Sequence, residues 1–220
     1  MPLRLSITSD YDTAKESAKA VVSSGGLVVY PTDTLYGIGC DATSEKAVEK
    51  VYSVKKREGK KPLSIIVANF EMLRKYCDVP HAHGKILHEL LPGPYTFVLQ
   101  LKKPLPVSET LSVGVRVPEH HFMRQVAKEL GVPIVSTSAN LSGEKGAAEL
   151  TGVNPEIAGA ADLVLDGGKC KYAQGSTVID LVQMKVLRKG AVREGDTIVF
   201  APLDDLSPHA DARGDRIEFG

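Results

Sequence analysis

Apolar residues recur at helical spacing over residues 12–24, where Ala14, Ala18, Val21 and Val22 fall on one side behind Asp10 or Asp12 as a cap. The same signature predicts a helix over 44–56, with Ser44 as N-cap and Ala47, Val48, Val51 and Val54 as its inner stripe. Asn69 opens a short helix to Tyr76, Lys85 to Leu91 forms another before Pro92-Gly93-Pro94 breaks it, and Glu119 to Leu130 ends at Gly131. Between these lie short apolar runs bounded by turn residues, which predict strands at 27–30, 63–68, 95–101, 111–117, 133–136, 162–166, 176–181 and 184–188. The alternation predicts an α/β fold: a twisted sheet of mixed parallel and antiparallel strands, flanked by helices, in a single domain.

Polar chemistry gathers where these strands end. Pro133-Ile134-Val135 runs into Ser136, Thr137, Ser138, Asn140 and Ser142, and this cluster reads as a turn whose hydroxyls and free backbone N–H groups can hold an anion. Leu27-Val28-Val29-Tyr30 runs into Pro31-Thr32-Asp33-Thr34-Leu35-Tyr36-Gly37. There Thr32 and Thr34 offer hydroxyls, while Asp33 suits an ammonium, a metal-bound water or a turn cap. Ordinary turn chemistry explains both segments about equally well. The stretch Lys55 to Leu63 holds five cations and one acid, which suits a polyanion through the fork of Arg57 and the point charges of Lys55 and Lys61, or a solvated face. Arg116 and Arg188 close two further apolar runs, as ligand contacts or as halves of ion pairs, and Ser176 with Thr177 opens a strand.

Composition narrows the class without choosing among enzymes. The 220 residues, 43% hydrophobic and 25% charged, suffice for one sizeable core. Lys plus Arg equal Asp plus Glu at 27 each, so affinity for nucleic acid requires a local patch, and residues 55–61 are the candidate. Three separated cysteines without a CxxC argue against a disulfide framework and a zinc ribbon. His81, His83 and His88 and the pair His120-His121 lack a completing cluster and read as surface or cap residues. GxGxxG and Walker A patterns are missing. No signal peptide or apolar stretch near the ~20 residues of a membrane span is seen, so a cytoplasmic protein is expected. From about Ala201 the chain turns polar and Asp-rich, and residues 201–220 are expected to form a disordered or appended tail after a domain of residues 1–200.

These segments, in this order, resemble the YrdC-like family of threonylcarbamoyl-adenylate synthases over roughly residues 20–190. The resemblance rests on PTDTLYG at 31–37, KKR and KPL within 55–63, LPGPYT at 91–96, SVGVRVP at 112–118, STSANLSG at 136–143, GSTVID at 175–180 and LRKG at 187–190. It implies a YrdC-like catalytic domain that converts L-threonine, bicarbonate and ATP into threonylcarbamoyl-AMP and pyrophosphate, for modification of the adenosine beside the anticodon of tRNA. Carried over position by position, it implies ATP contacts from Arg57, Lys61, Ser112, Ser136, Ser138 and Arg188, with Lys55 and Arg57 in the catalytic role. Asn140 either shapes its loop or joins the ATP contacts. Thr34, Arg116 and Ser176 would hold threonine. Mg²⁺ is expected on the nucleotide and no metal on the protein; a downstream tRNA threonylcarbamoyl transferase, and tRNA itself, are the implied partners. One departure stands out: where the family often has a threonine-contacting His in the strand after Pro-Leu, this chain has Ile66. The basic stretch also suits a non-catalytic double-stranded RNA or tRNA-binding module. A carbamoyl transferase of hydrogenase maturation is a third reading, from which the zinc-binding Cys motifs are missing.

Overall fold

The computed structural model describes residues 1–57 and 61–196, apart from the Ala82 side chain, together with the backbone of two short strands, Ile198–Phe200 and Asp215–Ile217. The chain opens with β1 (Leu3–Ser6), α1 (Tyr11–Ser23), β2 (Val28–Tyr30), β3 (Gly37–Gly39) and α2 (Glu45–Val54). Next come β4 (Ser64–Ile66), α3 (Phe70–Tyr76), β5 (Cys77–Asp78), α4 (His81–Leu90), β6 (Tyr95–Leu101), β7 (Ser112–Arg116) and α5 (Phe122–Leu130). It continues through β8 (Ile134–Ser138), α6 (Pro155–Ala160), β9 (Leu163–Asp166), β10 (Thr177–Asp180), β11 (Lys185–Arg188), β12 (Ile198–Phe200) and β13 (Asp215–Ile217).

The expected mixed sheet is present. Its order is β1-β9-β2-β3-β8-β4-β7-β6-β10-β11, with β5 on the side of β6. Strands β1/β9, β2/β9, β4/β7 and β6/β10 pair parallel, while the β2/β3, β3/β8, β4/β8, β6/β7 and β10/β11 pairs run antiparallel. Ser44 and Asn69 cap α2 and α3, accepting from the N–H groups of Ala47 and Met72. Gly131, at φ 70°, ends α5 in the left-handed conformation that glycine adopts without penalty. The cap expected of Asp10 does not form: its carboxylate accepts instead from the Ser9 hydroxyl at 2.8 Å.

Pattern reading placed several boundaries differently. Helix α4 begins earlier, at His81, and α5 later, at Phe122. The Glu119 N–H, ahead of α5, donates to Asp33 at 2.8 Å. β1, β3, β5, α6, β12 and β13 were not anticipated; β3, with sequence Gly-Ile-Gly, carries no β-propensity of its own. β12 and β13 pair with each other, apart from the main sheet. Residues 201–214 and 218–220 of the expected polar tail lie outside the described residues.

Strand β3 is glycine-built because β8 passes so close to it. A Cβ on Gly39 would lie 1.9 Å from the Val135 carbonyl oxygen and 3.1 Å from the Tyr30 hydroxyl, which itself donates to that carbonyl at 2.9 Å. Since backbone cannot step aside as a side chain can, Gly39→Ala is expected to cost at least about 2 kcal/mol of stability, read as a lower urea midpoint.

Candidate active site

The middle of the sheet lines a cavity of about 240 Å³. Ser64 and Ser136 stand directly opposite across β4 and β8, so their side chains share one face. Gly114, in the neighbouring β7, keeps that face open: a Cβ there would meet Ser64 Oγ at 2.5 Å and Thr96 Cγ2 at 2.9 Å. The loop after β2 brings Thr32, Thr34 and Leu35 to the rim, β7 ends in Arg116, Ser176 precedes β10 and Arg188 closes β11. A second, more open groove of about 540 Å³ is lined by Lys55, Lys56, Arg57, Lys61, Asn140, Ser142 and Gly143. Arg57, Thr137 and Ser138 line both spaces, so the two are continuous.

At the closed end, Arg116 is 7% and Asp33 2% exposed. Arg116 Nη2 donates to Asp33 Oδ1 at 2.7 Å and to Thr34 Oγ1 at 2.9 Å. Thr34 Oγ1 in turn lies 2.9 Å from Thr32 Oγ1. Of the roles open to Asp33, the structure shows the ion pair, with Oδ2 also accepting from the Glu119 N–H. Arg116 Nε is buried without a partner among the described residues. The guanidinium is thus held through Nη2 while Arg116 lines the cavity.

Across the cavity, Arg188 donates from Nε and Nη2 to the Ser176 carbonyl at 3.1 and 2.9 Å and from Nη2 to Ser176 Oγ at 3.1 Å. Ser176 Oγ also pairs with Thr96 Oγ1 at 2.8 Å. Burial, and next the proximity of Arg116, lowers the proton affinity of Arg188; an arginine still stays charged. Arg57 donates from Nη2 to the Pro62 carbonyl at 3.1 Å, and its buried Nε has no partner among the described residues. Three guanidiniums therefore converge on one hollow in a chain whose net charge is zero. Among the described residues, no carboxylate or imidazole lines either space.

A family model named Sua5–YciO–YrdC, with the description "Telomere recombination", matches residues 20–190. The chain belongs to the Sua5–YciO–YrdC family. A protein of Methanocaldococcus jannaschii provisionally named threonylcarbamoyl-AMP synthase is 36% identical over 203 residues, covering 89% of this chain and 95% of that one. The crystal structure of P. abyssi Sua5 complexed with L-threonine superposes with a TM-score of 0.79 at 28% identity, over 86% of this chain and 57% of Sua5. This family member therefore spans well under two thirds of the Sua5 length. A Methanobacterium thermoautotrophicum protein solved in solution matches with a TM-score of 0.65 at 35% identity, over 87% of this chain and 92% of that one.

Nearly all the residues singled out in the sequence of this Sua5–YciO–YrdC member meet here. Thr34, Arg116, Ser176, Arg57, Ser136, Ser138 and Arg188 line the inner cavity, and Lys55, Lys61 and Asn140 line the outer groove. Ser112 does not join them. It sits at the far end of β7, four residues before Arg116, and its hydroxyl pairs with that of Thr110 at 3.1 Å.

Three expectations need correction. Ser136, Thr137 and Ser138 belong to β8 rather than to a turn, paired with Ser64, Ile38 and Gly37. Most of the amides that follow are not free for an anion, since those of Ala139, Asn140, Leu141, Ser142 and Glu144 all donate within the protein. An anion grip from this segment therefore rests mainly on hydroxyls. Asn140 shapes its loop, as one of its two expected roles has it, donating from Nδ2 to the carbonyls of Leu141 and Glu144 at 2.7 and 2.9 Å, with Oδ1 buried and without a partner among the described residues. Lys55 is 2% exposed and donates to the carbonyls of Ser138 and, at 2.7 Å, Asn140, so its nitrogen is held by the protein rather than standing as a free point charge in the groove.

Ile66 is fully buried, in register with Arg116 and Ile134, and lies outside the cavity wall. The polar wall comes from Ser64, one pleat earlier on the same strand face, and from Thr32 and Thr96; none of these three was singled out for the inner chamber in that role. Their one sequence signal is a hydroxyl inside an otherwise apolar strand or beside a strand end. Of the histidines read as surface or cap residues, His83 has both ring nitrogens buried without a partner among the described residues. The same residues contain no group of three or more His, Cys, Asp or Glu placed to hold a metal ion, and no helix long and apolar enough to cross a membrane.

Proposed function

We propose that this chain is an L-threonylcarbamoyladenylate synthase, joining L-threonine, bicarbonate and ATP into threonylcarbamoyl-AMP with release of pyrophosphate. The observation that carries the reading is the convergence of Arg57, Arg116 and Arg188 on one hydroxyl-lined cavity that opens into a basic groove. The threonine-bound Sua5 of the same family supports it. The small chamber suits an amino acid whose carboxylate faces Arg116, and the groove beyond Arg57 suits a triphosphate.

The chemistry fits a site without a nucleophilic side chain. The neutral threonine amine bonds to the carbon of CO₂ and releases a proton, or bonds to the carbon of bicarbonate as a C–O bond breaks and water leaves, and either route gives a carbamate. A carbamate oxygen then bonds to the α-phosphorus as the α–β P–O bond breaks, and pyrophosphate leaves with the electron pair. Arg57, Arg188 and Lys61 stabilise charge on the phosphate oxygens, and the hydroxyls of Ser136 and Ser138 orient them. Depth and the walls of Thr32, Ser64 and Thr96 limit water around the carbamate. Mg²⁺ is assigned to the nucleotide, held by phosphates and water, because it usually keeps several waters and Asp33 already binds Arg116 and the Glu119 amide. The product would pass to a tRNA threonylcarbamoyl transferase, in the cytoplasm.

The test is pyrophosphate release from MgATP, which must depend on both threonine and bicarbonate. Arg57→Ala is expected to lower it about 100-fold and Ser136→Ala about tenfold. Unchanged rates in both variants would sink the reading. Salt-sensitive tRNA binding with no pyrophosphate release at all would favour the RNA-binding module instead.

A further inference from the structure

Lys55 stands where α2 meets the segment after β8, and it ties the two in both directions. Its ammonium donates to the carbonyls of Ser138 and Asn140. Its own carbonyl accepts from the Ser142 amide and the Ser142 hydroxyl, both at 3.2 Å. The carbonyls of Ser138 and Asn140, in a segment that lines the groove, are thus turned toward a buried cation in the groove's wall. We propose that Lys55 is a positioning residue: it pins the 138–142 segment so that the Ser138 side chain faces the groove, and it places a fixed positive charge behind the phosphates. This deepens the adenylate-synthase reading and rests on it only for the identity of the anion.

The tie and the charge are separable. An ammonium has three N–H donors and a neutral amine two, so loss of the proton leaves both carbonyls served while removing the charge. The charged groups facing Lys55 are Arg57, which disfavours its proton, and Glu144, which favours it; Lys61 lines the same groove, and Lys56 pairs outward with Glu156 at 2.6 Å. Burial first, and then Arg57, brings the Lys55 ammonium down from its ordinary 10.5 to about 8. The sign follows. In the ligand-free protein the folded amine is neutral between about 8 and 10.5 while the unfolded chain holds the proton, so this group makes stability rise with pH across that window. Phosphate binding does the opposite, because an anion in front of the amine pulls the proton back on.

Calorimetric titration with MgATP in two buffers of different ionisation enthalpy reads that proton directly. Uptake of about half a proton is expected at pH 8, with affinity weakening about tenfold between pH 7 and pH 9. Lys55→Met should bind about tenfold more weakly at pH 7 and show neither uptake nor pH dependence. Glu144→Gln, at an exposed position, should move the midpoint to lower pH, which keeps the assignment testable if Lys55→Met does not fold. Wild-type binding without proton uptake, or an unmoved midpoint in Glu144→Gln, overturns the charge assignment. If MgATP binds to no variant, the adenylate reading fails instead. Hydrogen exchange on the ligand-free protein then decides the tie: amides 139–144 should exchange at least about tenfold faster in Lys55→Met, and equal rates overturn it.

Discussion

Arg116→Ala is expected to lower threonine-dependent pyrophosphate release about a thousandfold, with the loss concentrated in the KM for threonine. The reasoning starts from burial. At 7% exposure the guanidinium has little water to compete for its donors, and Asp33 and Thr34 hold Nη2 so that the rest of the fork faces the cavity. A carboxylate seated there exchanges its water for charge-assisted bonds on a planar fork whose orientation is already set. Removing one partner of such a desolvated pair costs about 3–5 kcal/mol, and each 1.36 kcal/mol is tenfold, which places the loss near a thousandfold. Affinity for MgATP alone should stay within about threefold, since Arg57 and Lys61 line the groove on their own. Arg116→Lys should recover little, because an ammonium keeps the charge and loses the fork. Threonine titrations at saturating MgATP would settle it: an unchanged KM removes Arg116 from the amino-acid site.

Asp33→Ala should show the largest loss of stability, about 3–5 kcal/mol, because it leaves the Arg116 charge buried without its counterion. For a domain of this size that corresponds to a melting temperature lower by roughly 10 °C. The damage extends beyond the pair. Asp33 Oδ2 holds the Glu119 amide, and Glu119 in turn bonds Lys171 Nζ at 2.6 Å and Tyr172 Oη at 3.1 Å, anchoring the loop that leads to Ser176. Asp33→Asn keeps the shape and one acceptor oxygen, so it should fall between wild type and alanine. Thermal denaturation of the three proteins side by side tests the order, and equal stabilities would show that Arg116 finds another partner.

Much of the fold was legible along the chain because helices and strands here are built by local rules. Ser44 and Asn69 cap as their residue types demand, and the stripe Ala47, Val48, Val51 turns inward. Where a strand lacks such signals, as in Gly37-Ile38-Gly39, its pairing between β2 and β8 comes entirely from neighbours distant in sequence. The length of β8 was hidden for the same reason: Ser136 to Ser138 look like turn residues in isolation and become strand only because Ser64 and Gly37 lie opposite.

Residue type alone determined which chemistry this protein carries. Guanidiniums and hydroxyls stand at or near strand ends in the seven short blocks, and those groups favour anions whatever the fold does with them. Only the tertiary structure decided who faces whom. Asp33 neutralises Arg116 across 83 positions of chain, Lys55 reaches back to residues 83 and 85 positions away, and Ser64 replaces the expected polar side chain at Ile66. Those outcomes depend on strand register and burial, which set the partner and the dielectric around each group, and no local window of sequence contains either.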